Sequence, residues 1–182
     1  MGNSKKIKIP TGYSIELASS THVPLLGAIE IAAATRFPPG TIPDHIRSDL
    51  VPISVLFDAV ASGTLWVVLD AFRQPVGYAL LQMVDGYALL AQMDVHPDHG
   101  RKGLGAALVM SIAVFLHTQN KNALYLTTFT HVPWNAPFYA DIGFIALNEE
   151  ELPSFIRKII NEERQHGLPH RAAMRLPLQE KD

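Results

Sequence analysis

From Tyr13 onward the chain changes its hydrophobic period several times. Tyr13–Ala18 alternates apolar and polar side chains, the two-residue period of a half-buried strand. Ser19, Ser20 and Thr21 then offer capping hydroxyls. Pro24 fits a first helical turn, where no backbone donor is needed, so a helix is predicted to about Thr35. Pro38, Pro39, Gly40 and Pro43 break it. A second helical region is predicted over about 43–61, interrupted at Pro52 and ended by Gly63. Three strand-like runs follow, Leu65–Asp70, Val76–Val84 and Tyr87–Val95. Asp85-Gly86 marks a tight hairpin between the last two, because such pairs tolerate positive φ. Pro97 stops the third run. An apolar helix is predicted from about Gly103 to Thr118, and a strand over Ala123–Thr130. Asn135–Ile142 reads as a short helix closed by Gly143, Phe144–Leu147 as strand, Glu150–Gln165 as an amphipathic helix ended by Gly167, and Ala172–Leu176 as a final strand. A meander followed by alternating helices and strands predicts an α/β (α+β) fold with a mixed, mostly antiparallel central sheet flanked by helices.

Composition narrows this picture. The 182 residues suit one domain over 1–182, with residues 1–12, including Lys5, Lys6 and Lys8, expected as a solvated tail. Hydrophobic residues make up 48%, enough for one substantial core, while charged residues at 18% and a net charge of -2 give no basic footprint for nucleic acid. No cysteine is present, which excludes disulfides, thiolate-bound zinc and a cysteinyl acyl-enzyme. No apolar run approaches the roughly 18 residues of a membrane helix, and residues 1–12 lack the apolar stretch of a signal peptide, so a cytoplasmic protein is expected.

The stretch richest in chemistry is Val95-His96-Pro97-Asp98-His99-Gly100-Arg101-Lys102-Gly103-Leu104-Gly105-Ala106. It joins a predicted strand to a predicted helix. Three glycines let backbone amides converge at the helix N-terminus, where the dipole favours anions. Arg101 and Lys102 add positive charge, so the turn reads as a phosphate or pyrophosphate site. A nucleotide P-loop would need Lys-Ser or Lys-Thr, which is absent. A dinucleotide site would need a further small residue where Leu108 stands, and a βαβ start rather than a meander. A glycine turn that only tightens strand-to-helix packing remains the plain alternative.

With Val95, Pro97, Gly103, Leu104 and Gly105 in these places, the turn resembles the hallmark of the GNAT superfamily of acyl-CoA N-acyltransferases. Gly100 stands where that family often has Gln or Arg, and Arg101 where it often has Gly. Downstream, Asn135, Tyr139, Gly143 and Phe144 resemble the family's second segment, a short helix running into a strand. The resemblance covers roughly residues 64–147. It implies acetyl-CoA as co-substrate, with its pyrophosphate held by Gly100, Arg101, Lys102, Gly103, Leu104, Gly105 and Ala106. It also implies that the pantetheine arm lies along the strand ending in Met93, Asp94 and Val95, with Asn135 and Phe138 beside it. The strand Tyr87–Val95 must then splay from Ala123–Thr130 to leave a cleft.

The reaction implied is direct attack of an amine on the thioester in a ternary complex. Tyr139 is the candidate acid for the leaving thiolate, and its plain alternative is packing. Asn135 serves as a helix cap, a cofactor contact, or both. Related sequences often carry Glu near Ala91, which leaves the base open here. Asp94 and His131 are the alternatives, and both also read as solvated residues. Asp94, His96, Asp98 and His99 lack metal-ligand spacing, so no metal is expected. Arg36 and Phe37 would border the cleft, on the acceptor side or merely as packing. The expected partner is a small-molecule or peptide amine, with no nucleic acid or membrane, and a homodimer is left open. A non-catalytic acetyl-CoA-binding or sensing module and a different acyl chain are the remaining alternatives.

Overall fold

The computed structural model describes residues 8–178. The first part of the expected tail, with Lys5 and Lys6, lies outside that range. Residues 8–12 lead without regular structure into strand β1, Ser14–Leu17.

The elements follow the predicted order. Helix α1 spans Val23–Ala34, the short α2 Asp44–Arg47 and α3 Ile53–Ala61, the last two separated by Pro52. Strands β2 (Leu65–Leu69), β3 (Pro75–Val84) and β4 (Tyr87–Val95) form the meander, and α4 spans Leu104–Thr118. Then come β5 (Ala123–Phe129), α5 (Asn135–Ile142), β6 (Ile145–Ala146), α6 (Ser154–Gln165) and β7 (Arg171–Pro177). The helix expected from Glu150 instead begins at Ser154. Pro153 has no amide to continue a helix, and Glu149–Glu151 forms a separate 3-10 turn closed by a capping box with Asn148.

All strands join one sheet in the order β1-β2-β3-β4-β5-β7-β6. Every neighbouring pair is antiparallel except β4 and β5. That parallel contact consists of Ala88 opposite Leu124 and Leu89 opposite Tyr125, after which the two strands part.

The period-two pattern sorts side chains between the faces. Val68, Ala79, Leu81, Ala88, Leu90, Leu124, Leu126 and Met174 pack on one face against Leu104, Leu108, Ile112 and Leu116 of α4. On the other face, Val67, Leu69, Tyr78 and Leu80 meet Leu26 and Ile29 of α1 and Leu56 and Ala59 of α3, while Leu89, Tyr125 and Ala173 meet Phe155, Ile156 and Ile160 of α6. Each fully buried leucine contributes about 1.5–3 kcal/mol by leaving water.

One irregularity matters for the site. Leu81 pairs with Leu90 but Leu80 with Gln92, so Ala91 is an extra residue, a β-bulge in β4. The bulge reverses the alternation of the strand beyond it. Leu90 and Met93 therefore share the α4 face, and Asp94, opposite Tyr78, is turned to the α1 face.

Candidate active site

The end of β4 and the turn after it carry a set of uncommitted backbone groups. His96 donates its amide to the Val76 carbonyl at 2.8 Å. In an antiparallel ladder bonded and non-bonded pairs alternate, so the backbone groups of Met93 and Val95 point away from β3, to the side that β5 has left.

After a 3-10 turn over Pro97–His99, Arg101 adopts φ 58° and Gly103 φ 80°. This left-handed geometry at Gly103 starts α4 at Leu104. Among the described residues, the amides of Arg101, Lys102, Gly103, Leu104, Gly105 and Ala106 have no intramolecular acceptor; the helical ladder begins with Ala107 donating to Gly103 at 2.9 Å. Such a row at the positive end of a fifteen-residue helix has the geometry to suit an anion.

Two expectations for this turn need correction. The Gly100 amide is committed to the Pro97 carbonyl at 2.9 Å, because the 3-10 turn uses it. The Lys102 ammonium is drawn to the far side, where it donates to the Tyr13 hydroxyl at 2.9 Å and lies over that ring. Arg101, in contrast, lines the cleft. Gly105 serves a close approach: a Cβ there would come within 3.1 Å of Phe138 Cζ. Ala106 contributes its amide but no side-chain wall.

A cleft cavity of about 310 Å³ runs from this turn between Met93, Val95, Phe138 and Trp134 to Tyr139. A second cavity, of about 320 Å³, lies beyond it, bounded by α1, α2, the parted ends of β4 and β5, and Arg171. Phe37, Met93, Asp94, Asn135 and Tyr139 line both, so the two chambers share a wall. Arg36 lines only the first, with its guanidinium 4.6 Å from the Trp134 ring centre, while Phe37 packs on Trp134 and Phe129.

Asp94 is not a residue of a solvated strand face. It sits half-buried on the shared wall and accepts a hydrogen bond from Gln92 Nε2 at 2.6 Å. Desolvation, aided by the charge of Glu30, pushes its carboxyl up to about 7. Tyr139, packed against Phe138 and Phe144, has its hydroxyl held above the ordinary phenol range by burial first and by Asp94 second, with Arg171 opposing.

Asn135 does not cap α5. The N-cap is Trp134, which makes no side-chain bond, and Asn135 is the first helical residue, its Oδ1 accepting from the buried Thr128 hydroxyl. His131 stays outside both cavities; its ring nitrogen meets the Thr41 carbonyl at 2.7 Å and tethers the loop before α2. His99 bonds the Tyr13 hydroxyl at 2.9 Å, and His96 accepts from the Asp98 amide.

Sequence reasoning missed Glu30, Arg171 and the second chamber. Glu30 carried a signal, as the lone charged residue in the apolar stretch Val23–Ala34. Arg171 carried none, since its place depends on β7 lying beside β5.

Residues 61–146 match the family described as Acetyltransferase (GNAT) domain. The fold is similar to that of the PaiA N-acetyltransferase of Thermoplasma acidophilum, solved with coenzyme A, at TM-score 0.72 and 11% identity over 91% of this chain and 98% of that one. It is similar to N-acetylglutamate synthase of Neisseria gonorrhoeae, solved with coenzyme A and N-acetyl-glutamate, at TM-score 0.72 and 17% identity; the match takes in 94% of this chain but spans only 36% of the synthase. It is also similar to YncA of Salmonella typhimurium, solved with its cofactor acetyl-CoA, at TM-score 0.64 and 15% identity over 94% and 97% of the two chains. At these identities the likeness is one of fold. The matched segment and this sheet thus give the chain a GNAT domain match over residues 61–146 and the fold of these acetyltransferases. No helix among the described residues is long and apolar enough to cross a membrane.

Proposed function

We propose that the chain transfers an acetyl group from acetyl-CoA to an amine held in the second chamber. The observation that carries this reading is the pair of cavities meeting at Asp94 and Tyr139, one ending on a row of unbonded amides and the other partly acidic.

The amides of Arg101–Ala106 and the Arg101 guanidinium hold the pyrophosphate. The outward backbone groups of Met93 and Val95 pair with the pantetheine amides, and Phe138 and Trp134 flank the arm. The acceptor arrives as an ammonium, which must lose a proton before it attacks. Asp94, ionised above about pH 7, takes that proton directly or through a water.

The nitrogen then forms its bond to the thioester carbon, and the Val95 amide faces the developing oxyanion. As the carbon–sulfur bond breaks, the Tyr139 hydroxyl gives its proton to the departing sulfur, while the nitrogen, cationic after attack, sheds its second proton to solvent, which reprotonates the Tyr139 oxygen. Its raised proton affinity keeps it protonated at neutral pH. Glu30, Asp49 and Asp94 give the acceptor chamber a negative lining suited to a cationic amine, beside apolar walls from Phe37, Ile42, Ile46, Leu50 and Phe129.

The test is a panel of amines incubated with acetyl-CoA, with thiol release followed against each. Release of free CoA that depends on both the protein and one class of amine supports the reading. Tight acetyl-CoA binding with no release for any amine would favour a binding module without turnover.

A further inference from the structure

One buried acid of the acceptor chamber takes no proton in the reaction as proposed. Glu30 is 6% exposed in the middle of α1, its Oε2 accepts the Val51 amide at 3.1 Å, and its Oε1 has no hydrogen-bond partner. Tyr78, 0% exposed, likewise has a hydroxyl without a partner of good geometry. Tyr78 stands directly opposite Asp94 in the β3–β4 ladder, and the bulge at Ala91 turns Asp94 onto this same face. A helix that needed only to satisfy the Val51 amide could carry glutamine at position 30, with no charge to bury.

We infer that Glu30 and Tyr78 form a buried acidic support behind Asp94 that tunes it as the base of acyl transfer. Glu30 is thus a positioning residue, and the inference rests on the acyl-transfer reading above. Glu30 and Asp94 both border the acceptor chamber, and Tyr78 feels the charge of each. Burial raises the Glu30 carboxyl as well, and its charge counts among the causes that raise Asp94, whereas Asp94 is not among the causes acting on Glu30.

Other polar and titratable groups line the two chambers that meet at Asp94. They are Arg36 after α1, Arg47 and Asp49 around α2, Gln92 on β4 itself, His99 and Arg101 from the turn, Tyr139 from α5, Glu163 from α6 and Arg171 from β7. Of these, Arg171 is paired with Glu163 at 2.9 Å, and Arg47 is spent on the carbonyls of Ala34, Phe37 and Pro38. Asp49 acts on Glu30, and of the chamber's acids it is Glu30 whose charge reaches Asp94.

The test is a carbon-13 titration of the side-chain carboxyls in the full chain, with Asp94 assigned by its loss in Asp94→Asn. The wild-type midpoint is expected near 7. Glu30→Gln keeps an acceptor for Val51 but removes the charge, and Glu30→Met replaces the group with an apolar one of similar size. Each should lower the Asp94 midpoint by about half a unit or more, roughly threefold in its acid dissociation constant, and Glu30→Asp should hold it near the wild-type value.

An unchanged midpoint in a neutral variant with a native amide spectrum would overturn the inference. Failure of both neutral variants to fold would make Glu30 a structural strut and overturn it equally. Because the titration reads no turnover, it stands apart from the amine screen. Once that screen yields an amine, the acid limb of kcat/KM should move with the midpoint.

Discussion

Tyr139 and Asp94 stand on the one wall common to both chambers, and the carboxylate of Asp94 helps hold the Tyr139 hydroxyl in its protonated form. Under the proposed reaction an acid and a base would thereby be kept in opposite protonation states on one wall, as removing one proton and delivering another requires.

Replacing the phenol tests the acid. Tyr139→Phe keeps the ring packing on Phe138 and Phe144 and removes only the hydroxyl. Turnover should fall by about a hundredfold while acetyl-CoA affinity stays within about twofold. Steady-state kinetics with calorimetric binding separates the two. An unchanged rate would make Tyr139 a packing residue and leave protonation of sulfur to water.

Asp94 links activity to stability with a definite sign. Its carboxyl is raised from 3.8 to about 7 in the folded state. Between those values the folded chain keeps a proton that the unfolded chain has lost. The contribution of Asp94 to stability is therefore complete below its unfolded value and declines as pH rises through about 7. Asp94→Asn should melt higher than the wild type at about pH 8, and the gap should close toward about pH 4. The same variant should lose turnover and its acid limb. Parallel melting curves at both pH values would show that Asp94 is not buried as described.

The turn is tested at Gly103. With φ 80° and no atom within 4 Å of where a Cβ would stand, the position has room for a side chain but a backbone that resists one. Gly103→Ala should cost about 1 kcal/mol in stability from the left-handed backbone. Gly103→Glu should in addition abolish acetyl-CoA binding by setting a carboxylate against phosphate. Calorimetry that finds wild-type affinity in the glutamate variant would place the pyrophosphate elsewhere.

The two neighbouring cations should behave unequally. Arg101 lines the cleft and the Lys102 ammonium is bound to Tyr13. Arg101→Ala should weaken CoA binding by about tenfold and reduce its salt dependence, while Lys102→Ala stays within about twofold. Equal losses would mean that the lysine swings round to the ligand.

Much of this was legible in the chain. Strand alternation, the Asp85-Gly86 hairpin and the proline stops located the elements, and Gly103 with Gly105 marked the turn whose amides stay unbonded. The side-chain assignments were less legible, because they depend on long-range geometry. Nothing around Ala91 announces a bulge, yet that one extra residue decides which face Asp94 occupies. Lys102 looked like a phosphate ligand by proximity in sequence, but Tyr13, 89 positions away, claims it. Asn135 looked like a cap because it begins the predicted helix, but Thr128 on β5 takes its side chain.

The seam between β4 and β5 is two residue pairs long. Had those strands zipped to their ends, the sheet would have gained several rungs and lost its working surface, since the carbonyls and amides that stay unmatched past Leu89 would have been spent on one another. The molecule forgoes cohesion at its centre, and the torn edge that results keeps a row of backbone donors and acceptors open.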